Sequence, residues 1–240
     1  HTGQNYDFEL NKIFFDELNL KKPNFFLDCQ GLSATEKIGD IISKIDKVIC
    51  SFKPDAIVIL GDTNSSLSAI SAKRNKIPIF HLEAGNRCYD QRVPEEINRK
   101  IVDHISDINL TYSDIARENL LRENLPPFQV IKIGSPLIEV INNNNKNIFK
   151  SEILSNLKLK KDNYFVFSSH REENIDDPEN FKKIINIINS IAEKYKLKII
   201  FPVHPRTKKQ MKKSKIKLNR LVKVSKPLGF FDYIKLQINA

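Results

Sequence analysis

The residues best equipped for chemistry are crowded between His81 and Lys100. Glu83, Arg87, Asp90, Arg92 and Glu95 share one short stretch, with Gly85 where the chain must turn. The apolar run Ile77–Phe80 before it reads as a buried strand, and Pro94-Glu95-Glu96 reads as a helix start. Charged groups would therefore lie in a loop at the carboxyl end of a strand, where open α/β sheets bind ligands. Two acids in a first helical turn also suit the helix dipole, which gives Glu95 and Glu96 a purely structural alternative. Nothing in the local pattern asks for an acid at Glu83.

Three further clusters sit at predicted strand ends. Asp62 follows Ile57–Leu60, where it is placed either to cap the next helix or to serve a site. His170-Arg171 follows Tyr164–Ser169, and His204-Pro-Arg206 follows Ile199–Phe201. A His and an Arg at a strand end suit a diphosphate, because both donate charged hydrogen bonds. The first half thus supplies acids and the second supplies cations. A nucleotide sugar would use both: cations for the pyrophosphate, and carboxylates of tuned pKa to take and return a proton on the sugar. No Ser-His-Asp order, Cys–His pair or metal-ligand cluster competes well.

The net charge of +10 raises the question of nucleic acid. Its source is local: twelve Lys or Arg and no acid lie between Lys196 and Lys226, which leaves the remainder slightly acidic. The dense part, Lys208–Lys217, has no aromatic side chain for base stacking and matches no nucleic-acid motif. It reads as a solvated helix and connector, so no nucleic-acid partner is expected. No run is long enough to cross a bilayer, and no signal-peptide pattern opens the chain. Cys29, Cys50 and Cys88 have no metal-like or disulfide-like spacing, which fits a reduced, cytoplasmic protein.

Strands and helices alternate along the chain. Apolar residues recur at three- and four-residue steps from Thr35 to Phe52, as on an amphipathic helix. The continuous apolar run Ala56–Leu60 reads as a strand covered on both faces. The βα order continues through strands at 77–80, 108–112 and 130–133, and a polar, Asn-rich stretch follows at 141–147. A second cycle has strands at 164–169, 198–202 and 221–225 and a helix from Phe231. This order predicts an α/β protein of two Rossmann-like, doubly wound domains with parallel sheets, facing a cleft and both incomplete. The expected boundaries are residues 1–145 for the first domain, 146–162 for a hinge, and 163–240 for the second.

Six motifs in this order resemble the non-hydrolysing UDP-N-acetylglucosamine 2-epimerases: Gly61-Asp-Thr63, His81-Leu-Glu-Ala-Gly85, Pro94-Glu-Glu-Ile-Asn-Arg99, Gly134-Ser-Pro136, His170-Arg-Glu-Glu-Asn174 and Pro227-Leu-Gly-Phe230. The form Asn86–Pro94 looks most like a capsule or O-antigen branch that makes UDP-N-acetyl-L-fucosamine by epimerising a 6-deoxy-talosamine nucleotide. The resemblance implies a GT-B-like fold, a cytoplasmic homodimer and a UDP-sugar substrate. It also implies loss of the C2 proton and UDP to give a 2-acetamidoglycal, followed by re-addition, with no metal and no cofactor needed. Carried over by motif, Asp62, Glu83, Glu95 and His170 are catalytic, with Arg87, Arg171, His204, Arg206 and Phe230 contacting substrate. The family pattern has an initial strand with a Gly-x-Arg-Pro-Glu loop and a later Ser-Gly-Gly loop, neither of which this sequence contains. It is therefore expected to be an internal piece of about two-thirds of an epimerase. The alternatives are a GT-B glycosyltransferase and an inactive truncated remnant.

Overall fold

The structure is a computed structural model that describes residues 1–3, 12–169, 177–203, 207, 208, 211 and 217–240. The chain divides into two compact units. The first is His1–Gln4 with Pro23–Glu139, and the second is Asn5–Lys22 with Val140–Ala240.

Chain order begins with helix α1 (Lys12–Glu17), which belongs to the second unit. The first unit then runs α2 (Ala34–Phe52), β1 (Ile57–Leu60), α3 (Ala69–Arg74), β2 (Ile79–Ala84), α4 (Pro94–Ile105), β3 (Ile108–Thr111), α5 (Asp114–Arg122) and β4 (Val130–Lys132). All strand pairs are parallel, in the order β1-β2-β3-β4. Parallel strands need crossover helices, and the alternation in the sequence supplies them. The core gathers Ile49 from α2, Ile59 from β1, Ile79 from β2 and Val102 from α4. Each such side chain contributes about 1.5–3 kcal/mol through burial.

Helix α2 begins with a capping box: the Ser33 hydroxyl accepts from the Glu36 N–H, and the Glu36 carboxylate accepts from the Ser33 N–H. Its end is set by Lys53, whose left-handed backbone lets its N–H reach the Ile49 carbonyl. The β1 run, expected to be covered on both faces, differs: Ile59 is buried while Val58 and Leu60 are about two-thirds exposed. β1 is an edge strand of this sheet, and the described residues cover only its inner face.

Helix α6 (Leu137–Asn143) carries the chain from the first unit into the second, which continues with α7 (Asn145–Lys150), α8 (Ile153–Asn156), β5 (Tyr164–Val166), α9 (Pro178–Tyr195), β6 (Lys198–Pro202), β7 (Val222–Ser225) and α10 (Phe230–Ile238). Its sheet is parallel in the order β5-β6-β7. Phe181, Ile185 and Ile188 of α9 pack on one face against Ile199 and Phe201. On another side Ile153 of α8 and Leu236 of α10 pack with Tyr164 and Ile200. The Asn-rich stretch expected to lead into a hinge is helical, and residues 146–162 join this core: Ile148 and Ile153 are buried, and the Ser151 hydroxyl bonds Asp232 at 2.5 Å. An apolar side chain on a helical turn had more to gain from burial than a linker has from freedom.

Replacing Ser33 with Ala is expected to cost about 0.5–2 kcal/mol, the usual loss of a Ser N-cap. A urea titration of the Ser33→Ala protein against the parent measures it, and an unchanged midpoint would show that α2 is held by packing alone.

Candidate active site

β2 carries the centre of the site. In its ladder with β3, Leu82 pairs with Leu110 and Ala84 with Thr111, so Glu83 is the extra residue of a β-bulge. Strand alternation would place Glu83 on the face of Ile79 and His81, both fully buried. The bulge removes it from the ladder, and Ala84 takes the buried place instead. Glu83 has φ +67°, a left-handed backbone that a non-glycine residue adopts at a cost of about 1–3 kcal/mol. The residue expected in a loop beyond a strand ending at Phe80 is thus part of the strand itself.

A buried carboxylate holds this strained turn in place. Asp103, on the inner face of α4, accepts from His81 Nδ1 at 2.8 Å, from the Gly85 N–H at 3.2 Å and from Arg87 Nη1 at 2.7 Å. Three points flanking Glu83 are therefore tied to one side chain. The other His81 nitrogen, Nε2, donates to the Gly61 carbonyl at 2.9 Å, joining β2 to the end of β1. Both ring nitrogens thus face oxygen atoms, which fixes the orientation of the ring. Gly85, with φ +81°, lies so close to α5 that a Cβ would run into the Ala116 carbonyl.

Arg87 was expected to contact substrate. Its guanidinium is instead buried and turned inward: Nε and Nη2 form a bidentate pair with Glu123 at 2.7 and 2.6 Å, while Nη1 serves Asp103 and the Asn86 carbonyl. Burial works against its charge, but the hydrogen bonds and charges of Glu123 and Asp103 outweigh that and raise its pKa. Glu123 is held below the usual carboxylate range, chiefly by Arg87.

The expected carboxylates have different surroundings. Asp62, just past β1, is paired with Arg99 Nη2 at 2.6 Å and Nε at 3.0 Å. Its backbone carbonyl accepts from Asn98 of α4. Glu83 lies beside this pair, with one carboxylate oxygen 3.5 Å from where a Gly61 Cβ would stand. Burial, then the negative charge of Asp62, raises the Glu83 pKa, with Arg99 and His81 pulling the other way. Glu95 is half-buried on the first turn of α4 and has no hydrogen bond or ion pair among the described residues. Its neighbour Glu96, a helix-start residue by sequence, is fully buried and accepts from the Cys88 and Tyr89 N–H groups and from Arg99. Burial opposes the Glu96 charge, but the Cys88, Arg99 and Tyr89 donors prevail and lower its pKa.

Sequence reasoning did not single out His81, Glu96, Arg99 or Asp103 as organisers of the site. Helical spacing was the available signal: Glu96, Arg99 and Asp103 recur at three- and four-residue steps along α4. Phe230 is the first residue of α10, after Gly229 in extended conformation. His170, Arg171, His204 and Arg206 lie outside the described residues. Among the described residues no three His, Cys, Asp or Glu side chains are grouped as a metal ion would require.

Parallel α/β units with the strained Glu83 at the end of β2 place the protein among Rossmann-like folds with a carboxylate site at a strand end. The model of the family "UDP-N-acetylglucosamine 2-epimerase" matches residues 1–240, and the chain belongs to that family. A UDP-N-acetylglucosamine 2-epimerase structure from Rickettsia bellii is 47% identical, with a TM-score of 0.87 over 100% of this chain and 64% of that one. The Methanocaldococcus jannaschii enzyme, solved with UDP-GlcNAc and UDP, is 38% identical, with a TM-score of 0.93 over 100% of this chain and 68% of that one. A Pseudomonas aeruginosa UDP-2,3-diacetamido-2,3-dideoxy-D-glucuronate 2-epimerase is 32% identical over 98% of this chain and 66% of its own length. The chain thus spans about two-thirds of the length of these relatives.

Two expectations follow from the geometry. Arg87→Met would leave Asp103 and Glu123 without their buried partner, and breaking such a pair costs about 3–5 kcal/mol. Chemical denaturation should register that loss. Unchanged stability with a raised KM would instead return Arg87 to the substrate. The second concerns pH. The folded state holds the Glu83 proton more tightly than the unfolded chain, whose carboxyl titrates at about 4.3. Stability from this group is therefore full below that value and is lost as pH rises through the folded pKa. Glu83→Gln cannot ionise, so its melting temperature should exceed the parent's at pH 8 and converge with it towards pH 4.

Proposed function

We propose that this chain carries the catalytic carboxylates of a UDP-sugar 2-epimerase, which inverts C2 of a UDP-2-acetamido sugar. The observation that carries the reading is the bulged, left-handed Glu83, whose carboxyl is biased towards holding a proton beside the ion-paired Asp62. Backbone strain of this kind persists at functional sites because it aims a side chain. Epimerisation at carbon needs one group to take a proton from C2 and another to return one to the opposite face. Carboxylates whose environments differ meet that need.

In the proposed reaction a carboxylate removes the C2 proton as the C1–O bond breaks. The C2–H electron pair forms the C1=C2 bond of a 2-acetamidoglycal, and UDP leaves with the pair from C1–O. A protonated carboxyl then delivers its proton to C2 from the other face, and a UDP oxygen re-forms the bond to C1. We assign these two roles to Glu95, half-buried and without a partner among the described residues, and Glu83, with Asp62 and Arg99 fixing the charge beside them. The directions of proton transfer exchange in the reverse reaction. His170, by its motif, lies next to the departing UDP, with Arg171, His204, Arg206 and Phe230 as further contacts.

UDP-N-acetylglucosamine is the substrate favoured by the family and by the relative solved with it. The talosamine-type branch in surface polysaccharide synthesis is the finer assignment, carried by the Asn86–Pro94 motif. A cytoplasmic homodimer is the proposed working form, and no described helix is long and apolar enough to cross a membrane.

The full-length protein incubated with UDP-GlcNAc in D2O should place deuterium at C2 of substrate and product. Glu95→Gln should lower turnover by about 10²–10⁴-fold, the usual contribution of a positioned acid or base. Epimers that interconvert while keeping protium at C2 would sink the proton-transfer mechanism. UDP release with glycosylation of an added acceptor would establish the transferase alternative.

A further inference from the structure

Tyr112 has a hydroxyl that the fold leaves unsatisfied. It follows Thr111, the last residue of β3, and Thr111 pairs with Ala84 at the end of β2. Tyr112 therefore stands at the carboxyl edge of the sheet, next to the strand end that carries Glu83. Its Oη is closed off from solvent and has no hydrogen-bond partner among the described residues. An orphaned buried donor costs about 1–3 kcal/mol, so its retention calls for a partner that the described residues do not supply. Burial, followed by the charge of Glu83, raises the phenol pKa, so the group remains a neutral O–H donor.

The adjacent Thr111 hydroxyl is likewise buried without a partner among the described residues, while other nearby side chains have commitments. Asp62 is taken by Arg99, and Asn86 Nδ2 donates to Glu83 Oε1 at 3.3 Å. Tyr89, the other phenol of this region, is bonded through its hydroxyl to Asn119 at 2.8 Å. Tyr112 differs from Tyr89 in that its hydroxyl proton is unused among the described residues.

We propose that Tyr112 is a substrate-positioning residue, whose hydroxyl donates to an oxygen of the bound UDP-2-acetamido sugar and so holds C2 against Glu83. The inference deepens the epimerase reading and rests on it. A ligand oxygen would satisfy the orphaned donor, which makes the hydrogen bond available only in the complex. This arrangement directs binding energy towards orientation of the reacting carbon.

The test is Tyr112→Phe in the full-length protein, with UDP-GlcNAc as the probe. The variant removes an unsatisfied polar atom and keeps the ring, so its melting temperature should equal or exceed the parent's. Its kcat/KM should fall by about 10-fold or more, the scale of a lost substrate hydrogen bond. Calorimetric titration should show weaker UDP-GlcNAc binding but unchanged UDP binding, a split that a structural role for the hydroxyl would not produce. A kcat/KM within twofold of the parent overturns the proposal. So does a lower melting temperature, which would reveal an internal partner for the hydroxyl. A parent protein that neither binds nor turns over UDP-GlcNAc would remove the epimerase reading first, and the role of Tyr112 with it.

Discussion

The first unit depends on a single buried carboxylate. Asp103 accepts from His81, Gly85 and Arg87, and these three contacts bracket the one residue of β2 whose backbone is left-handed. Without them the strand would regain its register by straightening residue 83, and the carboxyl of Glu83 would turn under α4. A charge so deeply buried is tolerable only with full compensation. Asp103 has it from one guanidinium, one imidazole and one backbone N–H. The compensation runs outward as well, because Arg87 is shared with Glu123 and His81 with the Gly61 carbonyl. One network thus joins α4, α5 and the ends of β1 and β2.

Around this frame the acids divide by environment more than by residue type. Glu96 gathers backbone donors and Arg99, which keep it charged and fix the Cys88–Tyr89 backbone over the helix start. Glu83 is desolvated beside another negative charge, and both raise its pKa. Glu95, one residue from Glu96 but on a different side of α4, has no hydrogen-bond or ion-pair partner among the described residues. A helix turns about 100° per residue, so adjacent acids serve opposite duties: one anchors and one stays available. Arg99 completes the division by bridging Glu96 and Asp62, which couples the anchor to the site.

The second unit is built on a more conventional balance. Its sheet is closed by α9 on one side and by α8 and α10 on the other, with the Tyr164 hydroxyl donating to the Leu236 carbonyl at 2.6 Å. Glu17 of α1 accepts from the Phe231 N–H at the start of α10, where a carboxylate offsets the exposed N–H groups of a helix end. Residues far apart in sequence therefore share this unit, because an unpaired helix end and an unpaired carboxylate have a common remedy.

The sequence by itself determined the alternation of strands and helices, the parallel sheets and the segments that hold the acids. Those properties are local: the 3.6-residue repeat of α2, the short apolar runs and the Pro-Glu-Glu start of α4 depend only on neighbours along the chain. It also marked Asp62, Glu83 and Glu95 as acids at element ends. Tertiary structure decided what each of them does. The bulge at Glu83 arises from the pairing of β2 with β3, and the inward turn of Arg87 from Glu123, thirty-six residues away. The supposed hinge became part of a core for the same reason: Ile148 and Ile153 found apolar partners that composition could not reveal. Charge type is written residue by residue, but desolvation and pairing depend on which groups the fold brings within a few ångströms, and that distance is set only when the chain has packed.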